Sequence, residues 1–187
     1  KTSRQFQASG NADGETGALV EGDNALAAGD AANAIGNGAT ALGSGANALA
    51  ANATAVGIDA LATGTNAAAL GNTAQATGED SLALGSGASA SEVGTSAAGA
   101  RAQASGVYST ANGTESNASG AQSLASGYRS AASADGTTAV GGYAEATGRL
   151  GTALGYGSAA SGANTTAVGF GAAAAGTGAV AVGQSSE

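Results

Sequence analysis

The sequence predicts an all-β solenoid of parallel strands with fourteen-residue coils, and three observations predict it. One phrase recurs from Asn11 without a slip in register, beginning again at Ala25, Ala39, Ala53, Ala67, Ser81, Thr95, Ser109, Ser123, Thr137, Gly151, Thr165 and Ala179. Such fixed-period repetition marks repeats that cannot bury their own faces and must stack on their neighbours. Glycine punctuates most phrases twice, leaving two segments of about five residues, the length of a strand. Inside both segments small and larger side chains alternate with period two, which belongs to a strand and not to a helix.

Composition agrees. A chain of 187 residues with 3% aromatics and neither Trp nor Met has few large side chains from which to build a globular core. Its 34 Gly do not fall at every third place and there is no Pro, which excludes a collagen triple helix. With 43% hydrophobic and 10% charged residues it lacks the signature of disorder. The absence of Cys and His removes the thiolate nucleophile, the imidazole base and the ordinary zinc or copper site, so neither an enzyme nor a cofactor is expected. A net charge of −8 with five Lys and Arg argues against nucleic acid as a partner. No apolar run approaches a membrane span, and the opening KTSRQFQ lacks the features of a signal peptide; the expectation is a piece of a longer exported chain.

Residues 1–24 keep the phrase poorly, with Asp13 where later phrases carry Ala and Glu15 where they carry Gly. They are expected to form a degenerate cap or partial repeats, and residues 25–187 the roll itself. Numbering each phrase from the position of Ala53, the third place is Ala from Ala27 to Ala181 and the fifth is Gly from Gly29 to Gly183. The twelfth place is mostly Gly, with Ala50, Glu92 and Ala134 as exceptions. Both glycines are read as turn positions that need positive φ or close backbone approach. In the second segment the eighth and tenth places are Ala or Ser, and the ninth and eleventh are mostly polar or small.

If the two strands of a coil face each other across their Ala places, the interior is thin and the larger side chains of the first strand point outward. They then form one stripe: Leu26, Leu42, Thr54, Val56, Leu70, Leu82, Leu84, Leu124, Val140, Leu154, Val168, Val180 and Val182. A stripe of this length exceeds the apolar patch a soluble monomer exposes, and a closed homo-oligomer is the economical cover.

The phrases ATAVGIDALATGTN, SLALGSGASA and TTAVGFGAAAAGTG resemble the SVAIG-x-x-A-x-A-x-G repeat of the YadA-like head of trimeric autotransporter adhesins, over roughly residues 25–187. The resemblance implies a left-handed parallel β-roll assembled as a homotrimer, with the stripe residues above at the trimer interface. It implies an outer-membrane anchor elsewhere in the chain and adhesion of a bacterium to host matrix or cell-surface molecules. The family's neck and coiled-coil stalk are missing, so the chain is expected to stop within or at the end of the head.

Two departures from the pattern are candidate sites. The stripe turns polar at Thr110, Asn112 and Ser126, where three copies converging on an axis are expected to hold water or an anion. Four of the six aromatics, Tyr128, Tyr143, Tyr156 and Phe170, fall in one turn of consecutive phrases beside Arg129, and form either a ligand strip or a cover for the seam between subunits. The competing readings are a passive spacer and an ice-binding solenoid. The latter wants an unbroken Thr lattice, and here the second place is interrupted by Leu82, Ser96 and Leu124. Glu79–Asp80 and the Gly-x-Gly pairs are read as turns.

Overall fold

The computed structural model describes residues 17–187, so the reading of Asp13 and Glu15 as cap residues lies outside the described residues. The described chain forms twenty-four short strands in two twelve-stranded sheets, and every pairing is parallel. One sheet runs from β1 (Leu19–Val20) through β3 (Asn33–Ala34) and β5 (Asn47–Ala48) to β23 (Ala173–Ala174). The other runs from β2 (Leu26–Ala28) through β4 (Thr40–Leu42) and β6 (Thr54–Val56) to β24 (Val180–Val182). Register is the repeat itself: Ala55 pairs with Ala41 and Ala69, and Ala62 with Ala48 and Ala76. β1 already pairs in this register with β3, so Leu19 and Val20 belong to a coil.

The strands hold three and two residues, shorter than the five the sequence reading expects. The ladder does not stop with them. Gly57 N–H donates to Leu42 O at 2.8 Å and Asp59 N–H to Ser44 O at 2.9 Å, so bonds between coils continue around the corner. Each corner is closed by a bond three residues long, Ala60 to Gly57 O at 3.3 Å and Ala67 to Gly64 O at 3.1 Å. The third residue of both turns has positive φ, Asp59 at 54° and Asn66 at 57°, the requirement of a type II turn.

The two recurring glycines do different work. Gly57 has φ 131°, and a Cβ there would lie 2.5 Å from Gly71 O; Gly64 has no positive φ, but a Cβ would overlap the Gly78 carbonyl of the next coil. The interior is as thin as expected at the third place, where Ala41 to Ala181 are buried. It nevertheless admits more than Ala. Thr95, Thr137 and Thr165, at the first place, are fully buried, each hydroxyl donating to a carbonyl three residues back at 2.6 Å. A γ-hydroxyl satisfied by its own turn brings a larger side chain inside without an orphaned polar group. Ser123, at the same place, has the one buried hydroxyl without a partner among the described residues.

Candidate functional site

The outer faces of the two sheets differ. On the sheet of three-residue strands, the outward places alternate with the buried Ala and leave the stripe half-buried to exposed, with Leu26, Leu84, Val140, Leu154, Val180 and Val182 exposed. Thr110 and Ser126 are half-buried and Asn112 is exposed on this same face, where β14 (Thr110–Asn112) and β16 (Leu124–Ser126) pair Asn112 with Ser126 and Thr110 with Leu124. The two-residue strands from β3 on show mostly Asn, Gln, Ser and Ala outward, with Leu61 and Glu145 among them, and Asn33 Nδ2 donates to Asn47 Oδ1 at 2.7 Å along the stack.

The densest chemistry lies on the corner between the two segments of a coil. Parallel stacking repeats a place every ~4.8 Å, so side chains at one turn position of consecutive coils touch. Tyr128 and Tyr143 meet edge to face with centroids 5.3 Å apart, Tyr143 and Tyr156 at 5.5 Å and 69°, and Tyr156 and Phe170 stack at 5.7 Å. Tyr143 stands one place later in its coil, and the glycine at Gly142 leaves room for the Tyr156 ring, 3.2 Å from where a Cβ would sit.

Below the rings the same corner carries charge. Glu115 accepts from Arg101 and, at 2.5 Å, from Arg129 Nε. The Arg129 guanidinium also lies 5.2 Å from the Tyr128 ring centroid, within cation–π range. Hydrogen bonds from Arg101 and Arg129 hold the Glu115 carboxyl below its ordinary value, and the bond to Glu115 raises Arg129. A side-chain hydrogen bond with Tyr143 pushes the Tyr128 phenol up. The result is one continuous ladder, Arg101–Glu115–Arg129 passing into Tyr128–Tyr143–Tyr156–Phe170. It brings together all five strip residues named from sequence and adds Arg101 and Glu115, whose alternating signs at fourteen-residue spacing were the available signal.

The ladder sits on an unfavourable backbone. Arg101, Glu115, Arg129 and Tyr143 occupy consecutive copies of the left-handed turn position, with φ between 54° and 60°. Gly or Asn is favoured there, and other residues held in that region cost on the order of 1–3 kcal/mol each.

Repeat, register and corner define a parallel β-solenoid whose exposed chemistry is concentrated on one edge. The chain belongs to the YadA head domain repeat family: the repeat profile matches residues 21–46, 34–60, 62–88, 90–116, 118–144, 146–172 and 160–186. Among solved structures, the collagen-binding domain of the Yersinia adhesin YadA is similar at 19% identity, covering 91% of this chain and 82% of that one, with a TM-score of 0.37. The search of curated proteins found no match.

Proposed function

We propose that this chain is the head of a bacterial surface adhesin. It forms a left-handed roll that assembles as a homotrimer, is displayed from an outer-membrane anchor elsewhere in the protein, and attaches the cell to host matrix or cell-surface molecules. Family membership supports the adhesin role, and the uncovered stripe supports assembly. The trimer axis is lined by Leu42, Val56, Leu70, Leu84, Val140, Leu154 and Val168, and the three copies of Asn112 form a polar layer that holds water or an anion and fixes the register between chains. The aromatic end of the ladder carries the ligand-binding strip.

The observation that carries the strip is its stacking: four aromatics of consecutive coils meet ring to ring on one exposed corner of a chain with only six aromatics. Exposed Tyr and Arg are the side chains that dominate binding hot spots, and three copies around a trimer strengthen weak single contacts through effective concentration. Changing Tyr156 and Phe170 together to Ser tests this against a panel of immobilised matrix proteins, with a charge-matched solenoid as control. Loss of binding with an intact trimer is the expected result. Unchanged binding with an intact trimer overturns the strip, and no binding by the parent chain to any member of the panel leaves the spacer reading in its place.

A further inference from the structure

Each coil has two corners: a first, bearing the ladder, and a second, formed by its twelfth to fourteenth residues. In a closed ring whose axis runs along the roll, rotation keeps every copy at one height and brings the first corner of one against the second corner of the next, a heterologous contact that closes. Residues meeting across such a seam come from the same coil of two copies. In coil 123–136 the first corner carries Arg129 and the second Asp135, both exposed. In coil 137–150 the corresponding pair is Tyr143 and Arg149, and in coil 95–108 Arg101 stands opposite Val107 and, one place later, Tyr108, all exposed. Each of these coils holds a guanidinium at one corner and a carboxylate or phenol ring at the other, the partners a guanidinium pairs and stacks with. No described coil carries like charges at both corners. Arg149 has no ion pair in its own chain among the described residues. Asp135 accepts the Ala121 N–H through Oδ1 at 3.0 Å and has a second oxygen to offer.

Resting on the homotrimer reading above, we infer that the ladder is one wall of an intersubunit seam whose other wall is the second corner of the next copy. Arg129 faces the partner subunit's Asp135, and Tyr143 faces the partner subunit's Arg149. Large side chains stand on both walls in coils 95–108, 123–136 and 137–150, with Gln122 at the second corner of the coil between the first two. Beyond it, Tyr156 and Phe170 share their coils with Ala163 and Thr177, so the stacked ring pair is left uncovered and is the part of the strip open to a ligand.

Cysteine cross-linking tests the seam on a background without native Cys. Within one chain, positions 129 and 135 lie at opposite corners with β17 (Ala131–Ala132) between them. Six residues of near-extended chain separate them by roughly 15–20 Å, beyond the ~7 Å that a disulfide spans between Cα atoms. Oxidation of the Arg129→Cys, Asp135→Cys double variant is expected to give a covalently closed trimer on a non-reducing gel. Pairs two coils out of register, Arg129→Cys with Val107→Cys or with Ala163→Cys, are expected to lose that band. Cross-linking by the offset pairs instead, or by none while light scattering returns a trimer, overturns the seam and leaves the trimer standing. A monomer at micromolar concentration overturns the trimer and the seam with it.

Discussion

The two corners of the coil share one turn geometry and fill it differently. At the left-handed turn position of the second corner, nine of twelve residues are Asn, Asp or Gly; at that of the first, five of twelve are. The second corner's three exceptions are Tyr108, Gln122 and Leu150. Tyr108 and Leu150 each lie over a glycine of the preceding coil, where a Cβ on Gly94 would come within 2.5 Å of the Tyr108 ring and one on Gly136 within 2.6 Å of Leu150. The first corner instead places Arg101, Glu115, Arg129 and Tyr143 in sequence and joins them side chain to side chain. One corner follows backbone preference, and the other departs from it where the chemistry is concentrated.

The sharpest break in the comparison is at a glycine that opens the first corner. Gly127→Ala places a Cβ 2.5 Å from Gly141 O at φ 136°, and no side chain at the corner can yield to relieve it. A loss of about 3 kcal/mol or more is expected by chemical denaturation, and a wild-type midpoint would show that the corner can relax. Next in size is the interior the corners enclose. Ala55→Leu overpacks it at about 1–3 kcal/mol in each chain, whereas Thr63→Leu points outward and should leave the melting temperature nearly unchanged; equal melting temperatures would reverse the faces. Exchanging corner residues gives a smaller signal of opposite signs. Asn66→Arg should destabilise and Arg129→Asn stabilise the backbone by about 1 kcal/mol, the second offset in part by loss of the Glu115 pair. Destabilisation by both would show that the ladder outweighs the turn.

The smallest effect is electrostatic and depends on pH. Glu115 titrates below its ordinary value because it accepts hydrogen bonds from Arg101 and Arg129. Its contribution is therefore fully present above the unfolded carboxyl value and is lost as pH falls through the lowered folded one. Glu115→Gln should narrow the stability gap to wild type only in acid, at pH below the ordinary carboxyl range, and by an amount typical of an exposed pair. A gap that grows on acidification would refute the assignment.

Much of this was legible because the third place admits only Ala and the fifth only Gly, each for a steric reason that a repeat displays twelve times. Strand length was overestimated because the hydrogen-bond ladder continues through the corners and does not stop at the glycines. The left-handed turn position was missed at both corners. At the second, Asn24, Asn52, Asn66, Asp80 and Asn164 marked it; at the first, Arg and Glu hid it. That the thin interior also holds the Thr of the first place was not legible, since a sequence does not display that its hydroxyl bonds back to the turn. Arg101 and Glu115 escaped notice although their signs alternate at fourteen-residue spacing, because each charge alone reads as a solvated turn residue until the coils are stacked.

The alanine interior has a calorimetric consequence. The heat capacity of unfolding rises with apolar surface exposed and falls with polar surface exposed. A coil that buries mostly methyl groups, while tying nearly every peptide into a ladder, exposes little of the first and much of the second when it opens. The single roll should therefore have a smaller heat capacity of unfolding per residue than a globular domain, and a flatter stability curve. The Leu and Val stripe adds to that heat capacity only if another chain covers it. Calorimetry of the isolated chain and of the assembled one would then differ chiefly in curvature, with the difference measuring how much of the stripe assembly takes out of water.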